Sequence, residues 1–227
     1  MKSQVKAAPE RTRIFLVDDH PLMRAGLALL VNRQPDMFVC AEAGKPVEVF
    51  GLVPQVRPDL VLTDLTMPGR SGLEFIADLI ALRPGLPILV ISMHDEMMYA
   101  ERCLRAGARG YIMKDADNDE LLLALRCVID GETYLSPRAS EMVLRTVSGR
   151  KARSFDFPIQ SLSDREFEIF QLVGKGVSTR EIAVQLHLSP KTVDVHRGNM
   201  RRKLALKDAT ALVRHAVRWV EMQNPAP

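Results

Sequence analysis

Four side chains that stand directly after short apolar runs could together carry phosphoryl chemistry: Asp18, Asp19, Asp64 and Lys114. Each apolar run breaks into a loop at that point, as a buried strand does at its end. A carboxylate can attack a phosphoryl group and form a covalent intermediate, and an ammonium can hold a phosphoryl oxygen. The pattern therefore favours phosphoryl transfer through an aspartyl phosphate at Asp64.

Three clustered carboxylates would repel one another and would raise one another's pKa unless a cation neutralised them. Mg²⁺ is the expected ion, with Mn²⁺ as an alternative, because a hard cation prefers oxygen ligands and binds phosphate oxygens. The Ser92 hydroxyl, at the end of a fourth apolar run, could hydrogen-bond another phosphoryl oxygen. For any one of these acids alone, a helix N-cap or a loop charge would be the simpler interpretation.

The front half of the sequence alternates short apolar runs with amphipathic segments of helical spacing. The predicted strands are 14–17, 38–41, 60–63, 88–91 and 110–113, and the predicted helices are 21–33, 47–56, 72–82, 97–106 and 118–130. Five β-α units with right-handed crossovers predict a flavodoxin-like parallel sheet of order 2-1-3-4-5. In that order the first and third strands flank the switch point, where Asp18, Asp19 and Asp64 would meet.

Four short motifs give the front half a family resemblance: Val17-Asp18-Asp19-His20, Thr63-Asp64-Leu65-Thr66-Met67-Pro68-Gly69, Ile91-Ser92 and Gly110-Tyr111-Ile112-Met113-Lys114. Together they resemble the receiver domain of two-component response regulators. The resemblance implies that Asp64 accepts phosphate from a sensor histidine kinase, and that Asp19, Asp64 and the Thr66 carbonyl bind Mg²⁺ directly. It also implies that Asp18 acts mainly through water and that Ser92 and Tyr111 form a switch pair.

Composition limits the class of protein. With 227 residues, 47% of them hydrophobic and 26% charged, the chain is long enough for two modest globular domains. It has no apolar stretch of the length that a membrane span needs and no signal-peptide core, so a cytoplasmic protein with no membrane partner is expected. Three widely spaced cysteines support neither a disulfide framework nor a zinc site.

The charge is divided unevenly along the chain. From Pro158 onward there are eleven Lys and Arg against seven Asp and Glu, a net charge of +4, which leaves −1 for the rest. A polar, basic stretch at 148–154 separates the two parts and is predicted to be a linker, preceded by a short helix at 136–147. The predicted domains are therefore 12–130, a linker at 131–157, and 158–223.

The back part carries plain helix-start signals. Ser163 and Ser178 each precede a glutamate by three residues, as in a capping box, and Ser189 precedes a proline. Four helices are predicted, at 164–173, 179–186, 190–204 and 209–220, and together they form an all-α domain. The short connection between the second and third is typical of a helix-turn-helix.

The segment from Leu162 to Leu204 resembles the LuxR-type DNA-binding domain, and the whole chain is then similar to the NarL/FixJ family of response-regulator transcription factors. The resemblance places the helix-turn-helix at about 179–198. The predicted DNA-contact residues are Lys191, Thr192, Asp194, Val195, His196, Arg197, Arg201 and Lys203. Some relatives have lysines where this chain has Asp194 and Gly198, so the sequence leaves the DNA site open. For His196, packing is as good an interpretation as base contact, and for Arg201 and Lys203 phosphate contact or plain solvation is favoured over base readout.

The predicted function is that of a transcription factor activated by phosphorylation of Asp64, which promotes homodimerisation and promoter binding, with RNA polymerase as a further partner. No catalytic residue beyond Asp64 and no enzyme activity beyond slow loss of the phosphoryl group are expected. The alternatives are an aspartyl-phosphate phosphotransferase or phosphatase, and a phospho-dependent docking protein without a DNA role. A further hypothesis is that the unphosphorylated receiver covers the third or fourth helix of the DNA-binding domain.

Overall fold

The computed structural model describes residues 11–67, 70–147, 158–186 and 188–223 of the chain. The predicted linker at 148–154 and the motif residues Pro68 and Gly69 lie outside the described residues. The rest forms an N-terminal α/β domain and a C-terminal helical domain.

The strands of the N-terminal domain form one large sheet and one small hairpin. They are β1 (Thr12–Val17), β2 (Met37–Ala43), β3 (Leu60–Asp64), β4 (Thr66–Met67), β5 (Arg70–Ser71), β6 (Ile88–Ser92) and β7 (Gly110–Met113). The five-stranded sheet is parallel with the order β2-β1-β3-β6-β7, while β4 and β5 pair separately as an antiparallel hairpin. Counted within the large sheet, this is the predicted order 2-1-3-4-5. The hairpin was not predicted, and it makes the last two sheet strands the sixth and seventh of the chain.

Five helices cover the two faces of the sheet, and a sixth packs against the fourth. They are α1 (Pro21–Asn32), α2 (Pro46–Val56), α3 (Gly72–Leu82), α4 (Glu96–Ala106), α5 (Asn118–Ile129) and α6 (Pro137–Val147). Alternate residues of β1 divide between two cores: Phe15 and Val17 pack with α2, α3 and α4, whereas Ile14 and Leu16 pack with α1 and α5. This period of two is what a strand buried on both faces requires.

Four helices and a short 3₁₀ turn form the C-terminal domain. They are η1 (Pro158–Ser161), α7 (Asp164–Gly174), α8 (Thr179–Gln185), α9 (Pro190–Lys203) and α10 (Ala209–Gln223). Both predicted capping boxes are present, because the side chains of Ser163 and Ser178 accept from the amides of Glu166 and Glu181 and these glutamates bond back. The four predicted helices are thus confirmed.

Aromatic rings and a close helix crossing hold the C-terminal core together. Phe167 and Phe170 of α7 meet Trp219 of α10 edge-on, with ring centroids 5.3 and 5.9 Å apart. At Gly174 a side-chain carbon would lie only 2.4 Å from the carbonyl oxygen of Ala216, so α7 and α10 cross at a point where only glycine fits. The crossing fixes the orientation of α10 against α7.

The two domains contact each other through α3 and α4 on one side and through η1 and α7 on the other. Arg102 of α4 is 4% exposed, and its guanidinium donates to the Asp164 carboxylate at 2.6 Å and to the Leu162 carbonyl at 3.0 Å. The same guanidinium lies 4.4 Å from the ring centroid of Phe167. The described hydrogen bonds, ion pairs and ring contacts between the domains fall on η1 and α7, and not on α9 or α10, the third and fourth helices that the hypothesis placed under the receiver.

Within the described ranges, none of the helices has the length and apolar character that crossing a membrane would need.

Candidate functional site

The predicted acids meet at one edge of the sheet. Asp64 is the last residue of β3, and Asp18 follows β1, its parallel neighbour, in which Val17 pairs with Thr63. Both carboxylates are buried, with residue exposures of 3% for Asp64 and 1% for Asp18. The crossover topology thus brings together side chains that are 46 positions apart in sequence.

Lys114, which follows β7, bridges the two buried acids. Its Nζ donates to Asp18 Oδ2 at 2.8 Å and to Asp64 Oδ2 at 2.7 Å. Burial alone would lower the pKa of Lys114, but the two hydrogen bonds and charges raise it above its ordinary value. Burial raises the pKa of Asp64, and the hydrogen bonds from Lys114 and from the Thr66 amide offset only part of that effect. The Thr66 amide donates to Asp64 Oδ1 at 3.1 Å, while Lys114 donates to Oδ2. Because each carboxylate oxygen has its own donor, the Asp64 side chain is held in one orientation.

The remaining members of the cluster are Asp19 and His20. One ligand atom from each of Asp18, Asp19, His20 and Asp64 lies within 4.8 Å of the others, close enough to share one metal ion. Three carboxylates and the single ammonium of Lys114 carry a net charge of −2 when His20 is neutral, which a divalent cation would balance. The donor set is dominated by carboxylate oxygen, which suits Mg²⁺ or Mn²⁺. His20 was not predicted, although it directly follows the two acids in sequence.

Ser92 and Tyr111 lie beside this cluster on neighbouring strands. Both are buried, and the Tyr111 hydroxyl donates to the carbonyl oxygen of His94 at 2.7 Å. The Ser92 hydroxyl accepts from the His94 amide at 3.1 Å. The predicted switch pair is thus brought together through a third residue, His94.

His94 also reaches the loop after Asp64. Its Nε2 lies 2.7 Å from the Thr66 hydroxyl. Burial lowers the pKa of His94 to about 4, so the imidazole is neutral at physiological pH. No periodic pattern in the sequence indicates this pair, because Thr66 begins the short strand β4 and His94 lies in the loop after β6.

The predicted DNA-contact residues lie on α9, the third helix of the C-terminal domain. Val193 and Met200 face the core and are fully buried. Lys191, Asp194 and Val195 are exposed on the other side of the helix. The face that could enter a DNA groove is therefore open in this structure.

Five of the predicted contact residues already have partners inside the domain or are partly covered. Thr192 bonds to the N-cap Ser189, with 2.8 Å between the two hydroxyl oxygens, and Arg197 donates to the Thr179 hydroxyl at 2.8 Å. Lys203 forms an ion pair of 2.6 Å with Glu166 in the capping box of α7. His196 is half-buried, and the Nδ1 atom of its ring is buried without a hydrogen-bond partner. Arg201 is also partly covered, whereas Lys203 is exposed despite its ion pair.

Two protein families match the chain. Residues 14–126 match the family described as "Response regulator receiver domain", and residues 160–216 match "Bacterial regulatory proteins, luxR family". Together the two matches span both folded domains.

Curated relatives align along nearly the full chain. The oxygen regulatory protein NreC of Staphylococcus carnosus (strain TM300) is 37% identical over 210 residues, which cover 91% of this chain and 97% of the relative. NreC of Staphylococcus aureus (strain MRSA252) is 38% identical over the same length and shares.

Solved structures show the same architecture. A two-component response regulator of the LuxR family from Aurantimonas sp. SI85-9A1 is 34% identical and matches 61% of this chain and 99% of its own, with a TM-score of 0.57. RcsB from Salmonella enterica serovar Typhimurium, bound to promoter rprA in the presence of the phosphomimetic BeF3-, matches 92% of this chain and 99% of its own with a TM-score of 0.71. At 21% identity the second likeness concerns the fold alone.

Proposed function

Because the chain belongs to the response regulators that join a receiver domain to a LuxR-type DNA-binding domain, we propose that phosphorylation of Asp64 controls its binding to promoter DNA. The observation that carries this proposal is the Asp64 carboxylate, buried at a strand end and held by Lys114 and the Thr66 amide. A nucleophile fixed in one orientation is what in-line attack on phosphorus requires.

The proposed reaction begins with a phosphohistidine on a sensor kinase. A carboxylate oxygen of Asp64 forms a bond to phosphorus, the phosphorus–nitrogen bond breaks, and the kinase histidine leaves with the electron pair. Lys114 then keeps its ammonium on the oxygens of the new aspartyl phosphate, and Ser92 donates its hydroxyl to another of these oxygens. Burial raises the pKa of Asp64 and the neighbouring charge of Asp18 adds to the increase; a bound cation would relieve the repulsion between the two carboxylates.

Asp18, Asp19 and Asp64 would hold the proposed Mg²⁺, with the Thr66 carbonyl as a further ligand by family resemblance and Mn²⁺ as a possible substitute. When bound, the ion supplies charge neutralisation at the phosphoryl oxygens. The second carboxylate oxygen of Asp18, Oδ1, accepts a hydrogen bond from the His20 amide at 2.7 Å, and this bond orients the Asp18 carboxylate toward the site.

The DNA-binding half of the proposal rests on the exposed face of α9. Lys191, Asp194 and Val195 would enter the major groove, while Arg201 would meet backbone phosphate. Intradomain bonds hold the side chains of Thr192, Arg197 and Lys203. We therefore propose that these residues position the helix, and that each contacts a DNA phosphate only when its intradomain bond is replaced by a bond to that phosphate. His196 is proposed to pack against the helix and contact DNA only at its edge.

The remaining partners follow from this role. A symmetric dimer on two half-sites would match DNA recognition by a helix-turn-helix pair, and RNA polymerase is the proposed target of the bound protein. A factor that reads the chromosome acts in the cytoplasm of a bacterium.

An enzymatic role is the less favoured alternative. Phosphatases that pass through an aspartyl phosphate use a second aspartate two residues after the nucleophile as a general acid, but Thr66 holds that position here and its hydroxyl bonds to His94. We propose that the phosphorylated state persists as a signal, and that the chain accepts a phosphoryl group without turning over a substrate.

The test is binding to a pool of genomic DNA fragments by wild type and Asp64→Asn, with and without a small phosphodonor and Mg²⁺. The donor should sharpen binding of the wild type to a two-fold sequence and leave Asp64→Asn unchanged. If both proteins bind alike and the donor changes nothing, the proposal is wrong.

A further inference from the structure

We infer that His94 and Tyr99 form the path through which the state of Asp64 reaches the DNA-binding domain. The inference rests on the proposed function and adds the residues that connect its two halves. Both residues belong to the receiver, one in the loop after β6 and the other in α4, and neither is among the predicted site residues.

On the side of the phosphoacceptor, His94 is bound by three different groups. Its ring Nε2 meets the Thr66 hydroxyl at 2.7 Å, its amide donates to the Ser92 hydroxyl at 3.1 Å, and its carbonyl accepts from the Tyr111 hydroxyl at 2.7 Å. The Thr66 amide in turn donates to Asp64. Any shift of Ser92 or Thr66 therefore changes a bond to His94.

On the opposite side, the His94 ring stacks on Tyr99. The ring centroids are 4.7 Å apart and the ring planes differ by 24°. Tyr99 is 6% exposed, so it has little room to move without displacing a neighbour. The stack therefore links the position of the His94 loop to the position of the Tyr99 ring.

Tyr99 also touches the core of the DNA-binding domain. Its hydroxyl accepts a hydrogen bond from the Gln171 side-chain amide, and its ring meets that of Phe167 edge-on at a centroid distance of 5.2 Å. Phe167 in turn contacts Trp219 at 5.3 Å. An unbroken series of contacts thus runs from Asp64 through the backbone amide and side chain of Thr66, and then through side chains, to α7 and α10.

A phosphoryl group on Asp64 would act on the first member of this series. The Ser92 oxygen accepts from the His94 amide here, whereas its proton is free to be donated to a phosphoryl oxygen, and a hydrogen bond to a charged acceptor is strong enough to draw the hydroxyl toward that group. The hydroxyl would turn away from His94, the loop would shift, and the ring stack with Tyr99 would change. Tyr99 would then lose its fit against Phe167 and Gln171, and α7 would be released.

One further contact between the domains lies off this path. Arg165 of α7 pairs with Glu74 of α3 at 3.1 Å, and neither residue touches His94 or Tyr99 in the contacts that the structure describes. Glu74→Gln is therefore a matched control, since it weakens the domain contact without altering the series of contacts from Asp64.

The test compares full-length wild type, His94→Ala, Tyr99→Leu, Tyr99→Phe, Glu74→Gln and Asp64→Asn, with and without beryllofluoride and Mg²⁺. Beryllofluoride imitates a phosphoryl group that is not lost, so changes in phosphate lifetime cannot affect the result. Two quantities are measured: the affinity for the DNA fragment selected by wild type, and the emission of Trp219, the only tryptophan in the chain.

Wild type and Glu74→Gln should bind the fragment about tenfold more tightly with beryllofluoride, a common size of coupling between two sites. The Trp219 emission should shift in the same samples. For His94→Ala and Tyr99→Leu, beryllofluoride should change the affinity for the fragment by less than about twofold, because the coupling between the two sites is lost. Their Trp219 emission should not shift. Tyr99→Phe, which keeps the ring, should retain most of the response.

Two failures can be told apart. If wild type responds and His94→Ala and Tyr99→Leu respond equally, the path is wrong and the proposed function stands. If wild type does not respond and behaves like Asp64→Asn, the proposed function is wrong, and the path falls with it.

Discussion

At the scale of single residues, Lys114 is the counter-charge on which the buried acids depend. It is 5% exposed at the side chain and contacts both Asp18 and Asp64. Removing one member of a buried ionic cluster leaves an uncompensated charge in the protein interior. The free-energy cost of that buried charge is larger than the net stabilisation that the whole cluster provides. The acids would then have to bind protons or a metal.

Lys114→Met should therefore lower the free energy of unfolding by about 3 kcal/mol in the absence of Mg²⁺. Added Mg²⁺ should restore part of this loss, because the ion would take the place of the ammonium. Denaturant unfolding of wild type and variant, each with Mg²⁺ and with a chelator, measures both effects. Equal losses with and without the ion would argue against a cation among these carboxylates.

Glu168 of α7 gives the protein a pH-dependent stability. Burial raises its pKa to about 7, although Arg165 lies 3.0 Å away and lowers it, and Glu74 and Asp164 add further negative charge. Because the pKa of this carboxyl is higher in the folded state than in the unfolded state, where it is about 4.5, its protonated form stabilises the folded protein. This contribution is fully present below pH 4.5 and is lost as the pH rises through 7.

We expect the free energy of unfolding of wild type to fall between pH 5 and pH 8, by up to about 3 kcal/mol for a shift of this size. Glu168→Gln keeps the shape and stays neutral, so its stability should vary much less over that range. Denaturation series at several pH values measure the difference. A variant whose stability fell as steeply as that of wild type would show that another group is responsible.

The residues at strand ends were predictable, whereas their tertiary partners were not. Asp18, Asp64 and Lys114 follow apolar runs, and the crossover rule brings such positions to one edge of a sheet. The His94–Thr66 and Lys203–Glu166 pairs join residues 28 and 37 positions apart, and each depends on how two helices or loops pack. No local pattern in the sequence indicates such a pair.

At the scale of secondary-structure elements, α9 has an open position on its exposed side. A side-chain carbon at Gly198 would meet nothing within 4 Å, and glycine inside a helix is less favourable than most other residues. This position can therefore accept a longer side chain without strain.

Gly198→Lys should stabilise the helix by about 0.5 to 1 kcal/mol and should add a contact to DNA phosphate. The slope of log affinity against log salt should become steeper by about 0.9, as expected for one added phosphate contact. Gly198→Ala is the control, since it should give the stability without the change in slope. Fluorescence anisotropy titrations at several salt concentrations test the prediction, which fails if the two variants show equal slopes.

Elements with explicit start signals were predicted closely, and very short ones were missed. Ser163, Ser178 and Ser189 mark the starts of α7, α8 and α9 to the residue, because a capping side chain occupies one defined position. The hairpin of β4 and β5 has two residues in each strand, too few to show alternation, and the four residues of η1 carry no helical period.

At the scale of the whole molecule, Arg102 holds the domains together. Its guanidinium reaches a carboxylate, a backbone carbonyl and an aromatic face in the other domain at once. A planar guanidinium can bond to the carboxylate and the carbonyl and stack on the aromatic ring at the same time, whereas a lysine ammonium cannot. The arrangement of the domains could not be predicted from sequence, because a buried arginine on α4 looks like any surface charge until its partner is known.

Arg102→Ala should separate the domains with or without phosphorylation, since it removes the hydrogen bonds to the half-exposed Asp164 carboxylate and to the Leu162 carbonyl, which contribute about 2 kcal/mol. Small-angle scattering should then show a larger radius of gyration for the full-length variant. Arg105→Ala, on the same helix, removes a 59% exposed side chain that pairs with Glu101 of its own helix, and it should leave the radius unchanged. A compact Arg102→Ala protein would show that the remaining contacts suffice.

The exposed face of α9 has a kinetic consequence. Since Lys191 and its exposed neighbours remain accessible while the domains are docked, the docked protein can still touch the DNA backbone and move along it through weak, salt-sensitive encounters. Phosphorylation would then leave the rate of encounter almost unchanged and lengthen the time that the protein stays at its target. Such a regulator is already bound weakly and non-specifically to the chromosome before the stimulus arrives. Its response time is therefore set by the rate of phosphorylation of Asp64 and not by the time that the protein needs to find its target site.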